Sequence, residues 1–104
     1  MLAEDILIRD VNSALDLIAN VRYQHDCDGI IVQREAIVEE FFDLKTRLAG
    51  EILQKFANYQ MKIAIIGDFT NVSSKSLRDF IYESNKGTQV FFLPSVEDAL
   101  RKMA

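Results

Sequence analysis

One cysteine, one proline, one histidine and no tryptophan occur among 104 residues, and each scarcity closes a route. Cys27 has no intrachain disulfide partner, so the expected setting is reducing and the expected location cytoplasmic. With one Pro, four Gly and no Ser/Gly/Pro-rich or single-sign charged stretch, no linker or low-complexity segment divides the chain, and residues 1–104 are expected to form a single domain. The apolar runs are short. "IAII" at 63–66 falls far below the ~20 residues that span a bilayer. The opening "MLAEDILIRD" lacks the basic segment and long apolar stretch of a secretory signal. Positive charge is also in deficit, with 12 Lys and Arg against 16 Asp and Glu for a net charge of −4 and a pI near 4.9. A nucleic-acid footprint needs a basic face, and an anionic membrane attracts basic segments. Neither partner is expected.

What is present is ordinary globular material: 49% hydrophobic and 27% charged residues. A chain of this size buries roughly two-thirds of its unfolded surface, enough for one core without a metal or a disulfide. No cofactor is expected.

Four apolar runs alternate with four helical patterns. Ile6 to Ile8 is the first expected strand. Val11, Ala14, Leu15, Ile18 and Val21 follow at helical spacing, with Asp10 as N-cap. Gly29 to Val32 is a second, β-branched strand. Leu48, Ala49, Ile52, Leu53 and Phe56 form one face of the second helix, expected to be the longest and to begin near Lys45. "KIAIIG" at 62–67 is apolar on both faces, as in a central parallel strand. Ser74 caps a helix carrying Leu77, Phe80, Ile81 and Ser84. "QVFFLP" is the fourth strand, and Ser95 with Asp98 opens a last helix whose buried face is Val96, Ala99, Leu100 and Met103.

The order βα, four times over, predicts an α/β fold with a mainly parallel four-stranded sheet. Right-handed crossovers between neighbouring strands favour the order 1-2-3-4 with helices mostly on one face. The other sheet face would then be partly bare, and an exposed apolar face seeks a partner. Self-association into a homo-oligomer is expected on that ground.

In open α/β sheets ligands sit beyond the carboxyl ends of the strands, where helix N-termini add free N–H groups and partial positive charge. Here that edge is built from "QREAIVEEFFDLKT" and "DFTNVSSKS". Thr46, Ser73 and Ser74 are its candidate phosphoacceptors or anion contacts. Asp43, Lys45, Arg47, Asp68, Lys75 and Arg78 complete a candidate interaction edge, with Lys45, Arg47, Lys75 and Arg78 as counter-charge. The plainer reading is a threonine on a solvated first turn among ordinary surface cations, and residue chemistry alone favours it.

Other constellations fall short. Asp68 ends a buried strand, but the last strand runs into Pro94 and Ser95 and supplies no lysine for a receiver-type phosphorylation site. Asp68 is expected to cap its loop or face solvent. Gly67 is not followed by G-x-G-x-x-G. "HDCD" at 25–28 offers one His and one Cys without a second cluster, too few for zinc; it reads as a polar turn with Cys27 partly buried. The single His stands in a turn and no Ser occupies a nucleophile elbow, so no catalytic residue is assigned. Glu39, Glu40 and Asp43 read as macrodipole complements at a helix start. The Phe residues fit a core better than a base-stacking platform.

"FFDLKTRLAGEILQKFANY", "KIAIIGDF", "SKSLRDFIYESNKG" and "QVFFLPSVEDAL" closely resemble a bacterial family described as domain of unknown function 4180, from about Asp5 to the C-terminus. The resemblance implies a small stand-alone protein. At the position of Arg47 it implies a glycine. A more distant likeness is to STAS domains of the anti-sigma-factor antagonist type, through the βα repeats and the ending "VFFLPSVEDAL". In that family an Asp-Ser-Ser-Gly-Leu-Gly stretch opens a helix, and its second Ser can be phosphorylated. Laid on this chain, Leu44 falls at the Asp, Lys45 at the first Ser, Thr46 at the second, Arg47 at the first Gly and Leu48 at the Leu. Only the hydroxyl and the Leu survive. The likeness speaks to fold more than to mechanism.

The leading expectation is a non-enzymatic regulatory or protein-interaction module of STAS-like fold with a protein partner. The alternative is a small-anion or nucleotide-binding protein using helix N-termini at the same edge. Acid–base chemistry through Asp43 or Asp68 is a third, weaker possibility.

Overall fold

Asp10 sets the place where the chain first becomes helical. The computed structural model describes residues 6–103, and within it the Asp10 carboxylate accepts from the Ser13 N–H at 2.8 Å while Ser13 Oγ accepts from the Asp10 N–H at 3.0 Å. This reciprocal cap opens α1, Val11–His25. Ser13 Oγ also accepts from the Arg9 N–H at 2.9 Å. Two main-chain donors that could extend a strand are therefore taken by the cap.

The expected first strand shrinks accordingly. Of residues 6–8, only Ile8 makes a β-bridge, parallel to Ile37, with Val38 N–H donating to Ile8 O at 2.9 Å. The sheet has three strands among the described residues, not four: β1 Gly29–Gln33, β2 Lys62–Ile66 and β3 Val90–Leu93. All pair in parallel in the order β1-β2-β3, so the expected side-by-side arrangement holds for the three that form.

With every crossover of one hand, stepping in one direction across the sheet places both connecting helices on the same face. These are α2, Leu48–Asn58, and α3, Lys75–Lys86. On that face Ile30, Val32, Ile63, Ile65 and Phe92 meet Ala14 and Ile18 of α1, Ile52 and Phe56 of α2 and Leu77 of α3. The alternate residues Ala64, Ile66 and Phe91 turn to the opposite face and pack under Ala99 of α4, Val96–Met103. Among the described residues that second face is covered by α4, and the bare sheet face from which self-association was expected does not form. Met103 closes it at β1: a Cβ on Gly29 would stand 2.6 Å from Met103 Cε. Of the expected buried face of α4, Ala99 is fully enclosed while Val96 and Leu100 are exposed.

β3 is an edge strand, and a side chain satisfies its outer rim. Asn85 Oδ1 accepts from the Phe92 N–H at 2.7 Å, and Asn85 Nδ2 donates to Phe92 O at 3.1 Å. Asn85 thereby does the work of a fourth strand at one residue.

α2 begins later and is shorter than expected, with 11 residues against 15 in α1. Between β1 and α2 the chain makes three 3-10 turns, Arg34–Ala36, Glu39–Phe42 and Leu44–Thr46. Extended backbone at Ile37 and Asp43 separates them. Phe41 and Phe42 are adjacent and both buried, with rings edge-to-face at 5.1 Å. Both rings belong to the second turn and both join the core that α2 and the sheet share.

Candidate functional site

The carboxyl ends of β1 and β2 lie side by side, with Gln33 opposite Ile66 in register. The next residues, Arg34 and Gly67, meet at the edge. A Cβ on Gly67 would lie 3.0 Å from Arg34 Cβ and 3.3 Å from Arg34 Cδ. The missing side chain is what lets the arginine stem cross here. The guanidinium then lies over Phe42, 4.5 Å from the ring centroid, and Arg34 Nη1 pairs with Glu39 Oε1 at 3.3 Å. Arg34 is half-buried, whereas Glu39 is open to solvent. Sequence reasoning missed Arg34. Its only signal is the position directly after a strand, because the ring and the glycine that hold it are remote in sequence.

Around Arg34 opens a cleft of about 540 Å³, walled by the first two 3-10 turns, the loop after β2 and the start of α3. Arg34, Glu35, Glu39, Asp43 and Asp68 supply its charge, and Asn71, Ser73 and Ser74 its neutral polar groups. Four acidic residues and one arginine therefore line it, and of the four only Glu39 pairs with Arg34. Of the expected edge, Asp43, Asp68, Ser73 and Ser74 are brought together here. Lys45, Arg47, Lys75 and Arg78 are not among its lining residues, so the counter-charge expected for an anion does not converge.

Each of those cations is placed by its own element. Lys75 pairs with Asp79 one turn along α3, at 2.9 Å. Arg78 Nη1 donates to Val72 O at 3.0 Å and pins the loop after β2. Lys45 sits in the third 3-10 turn. Arg47 follows it with φ 62°, the left-handed region that suits glycine. The family resemblance implies a glycine at this same position.

The three candidate hydroxyls divide by what already holds them. Thr46 Oγ1 lies 2.9 Å from Glu40 O and 2.8 Å from Asp43 O, and donates its proton between them. The same oxygen accepts from the Leu48 N–H at 3.2 Å, tying the third turn to the start of α2. Ser74 Oγ accepts from the Leu77 N–H at 3.2 Å as the N-cap of α3. Ser73 is exposed on the cleft rim, and among the described residues its hydroxyl makes no hydrogen bond.

The carboxylates also have local duties. Asp43 Oδ1 accepts from the Lys45 N–H at 3.2 Å. Asp68 Oδ1 accepts from Thr70 Oγ1 at 2.6 Å and from the Thr70 N–H at 3.0 Å. These two bonds, the hydroxyl's first, hold the Asp68 carboxyl below its ordinary range. Asp68 thus caps its loop, as the sequence predicts. Cys27 is exposed rather than partly buried, and its thiol donates to His25 O at 3.3 Å. Among the described residues no three His, Cys, Asp or Glu cluster as a metal site, and no helix is long and apolar enough to cross a membrane.

Neither the search of curated proteins nor that of solved structures returns a match. The family model described as "Domain of unknown function (DUF4180)" matches residues 1–103, essentially the whole chain, and the chain belongs to that family.

Proposed function

We propose that this protein is a non-enzymatic interaction module of the cytoplasm that receives a basic segment of a partner protein in the cleft at the carboxyl edge of its sheet. The observation that carries the reading is the charge of the lining, with Glu35, Glu39, Asp43 and Asp68 set against Arg34 alone. Such a surface steers and orients a lysine- or arginine-bearing partner. The same balance disfavours phosphates and nucleotides.

Regulation enters through Ser73. The STAS likeness points to Thr46 as the hydroxyl to modify, but Thr46 is knotted into the backbone. Phosphate on Ser73 would add roughly −1.5 to −2 charges to the acidic rim and strengthen the grip on a basic segment.

The test is a titration of labelled protein, followed by amide NMR, with arginine- and lysine-rich peptides and, separately, with inorganic phosphate and nucleotides. The peptides are expected to shift the signals of 34–43 and 68–74 with an affinity that falls as salt is added. Glu35→Gln with Asp43→Asn should weaken the shift. Unmoved signals with the peptides, together with stabilisation by phosphates, would overturn this reading in favour of anion binding.

A further inference from the structure

Asp68 lines two cavities. One is the acidic cleft, and the other, of about 370 Å³, lies at the carboxyl ends of β2 and β3. Phe69, Ile81, Phe92 and Pro94 give the second cavity an apolar wall. Its neutral polar side chains are already bonded. The Thr70 hydroxyl donates to Asp68 Oδ1 at 2.6 Å, and Oδ1 and Nδ2 of Asn85 are both bonded to the main chain of Phe92. Asp68 keeps one oxygen: both Thr70 bonds fall on Oδ1, and among the described residues none falls on Oδ2. The Phe69 ring stands between the cavities, 6.4 Å from the Phe42 ring in the cleft wall and 5.3 Å from the Phe92 ring in the wall of the second.

We propose that the second cavity receives an apolar side chain of the same partner segment whose basic residue occupies the cleft. The inference rests on the cleft reading above and adds what that reading lacks, a feature that tells one basic segment from another. With its neutral polar side chains bonded, the cavity offers little to a polar group, which would lose water there without replacement. An apolar group loses nothing and is removed from water against Phe69, Ile81 and Phe92. Asp68 decides what must stand beside that group. A ligand that covers this carboxylate without bringing a cation strips water from it and returns no partner. A cation supplies a charge-assisted bond to the remaining oxygen. In an extended segment, side chains two residues apart lie on one side, roughly 6.6 Å from each other, which suits two cavities parted by a single ring. The recognised element is therefore an arginine or lysine with a large apolar side chain two residues away, the apolar member acting as the anchor in a pocket.

Two capped peptides of equal charge provide the test, Arg-Gly-Leu-Gly-Arg and Arg-Gly-Ser-Gly-Arg, each titrated into the full isotope-labelled chain. Their central residue stands two positions from an arginine in both chain directions. Both peptides are expected to shift the amide signals of 34–43. Only the Leu peptide should also shift the Ile81 methyl and Asn85 side-chain amide signals. It should bind roughly tenfold tighter, as enclosure of one leucine side chain allows. Ile81→Gln, on the cavity wall, should remove that preference and leave binding of the Ser peptide unchanged. Equal affinities on the wild-type chain, with the signals of 34–43 moving in both titrations, overturn this inference and leave the cleft reading intact. So does tighter binding of the Leu peptide that moves 15–23 and not 81–92, and so does a preference kept by folded Ile81→Gln. If neither peptide moves 34–43, the cleft reading fails and this inference with it. Were Ile81→Gln to unfold by circular dichroism, the two peptides on the wild-type chain still decide.

Discussion

Arg34 and Phe42 lie against one another, guanidinium over ring at 4.5 Å, because Gly67 leaves the arginine stem room to cross the sheet edge. The contact joins the exit of β1 to the turn before α2 and forms one wall of the cleft. It combines a cation–π interaction, packing of the aliphatic stem and a half-exposed ion pair to Glu39.

Removing the stack should cost stability in a graded way. A partly buried cation–π contact contributes about 1 kcal/mol, and the exposed pair to Glu39 adds little. Arg34→Ala is expected to lower the unfolding free energy by about 1 kcal/mol. Arg34→Lys should fall between it and the wild type, since an ammonium keeps the charge but not the planar stack. Urea denaturation measures both, and equal stability of all three chains would show that the stack contributes nothing.

Arg47 tests the backbone directly. Its φ of 62° costs an ordinary residue roughly 1–2 kcal/mol, and glycine escapes this at an entropic cost of about 0.5–1 kcal/mol. Arg47→Gly is therefore expected to be neutral or to raise stability by up to about 1 kcal/mol. Arg47→Val, β-branched and ill-suited to this region, should lose at least about 1 kcal/mol. Thermal denaturation that ranked Val above Gly would refute the assignment of left-handed strain.

Thr46 is expected to behave as a structural knot. Its hydroxyl serves two carbonyls and the Leu48 N–H, so Thr46→Val, nearly the same shape, should cost about 1–2 kcal/mol in the manner of a lost cap. Thr46→Ser should retain most of that. Peptide binding in the cleft should be unaffected by either change once folding is complete. If Thr46→Val proved as stable as the wild type, the knot would be without energetic weight, and modification at Thr46 would regain its standing.

Much of this was legible in the sequence, where physics is local. The caps at Asp10, Ser74 and Ser95 follow from short polar residues before periodic apolar runs, and each is made. The runs at 29–32, 62–67 and 89–94 become β1, β2 and β3 within a residue at either end. Ile6 to Ile8 misled because strand propensity there competes with a cap that takes the next two N–H groups. The stretch "FFDLKTRLAG" reads as a helix start because acids suit a helix N-terminus, yet the chain there passes through 3-10 turns, and α2 begins only at Leu48, after the left-handed Arg47. Arg34 was illegible because its importance lies wholly in contacts with Phe42 and Gly67, eight and 33 residues away in the chain.

The pH dependence of stability should carry the mark of the capping carboxylates. Asp68 is held below its ordinary pKa by the Thr70 hydroxyl and then the Thr70 N–H, and Asp10 likewise by the Ser13 N–H and then its hydroxyl. In both cases the unfolded chain takes up a proton at a higher pH than the folded chain does. The resulting stabilisation is complete above the unfolded carboxylate pKa and is lost as pH falls through the lower, folded value. Unfolding free energy should thus be flat with respect to these two groups near neutrality and decline only in the acid range. Thr70→Val deletes the stronger bond to Asp68 and should move that carboxyl upward while leaving Asp10 unchanged, as carboxyl NMR titration would resolve. An Asp68 pKa that did not rise in Thr70→Val would place the cause of its depression elsewhere.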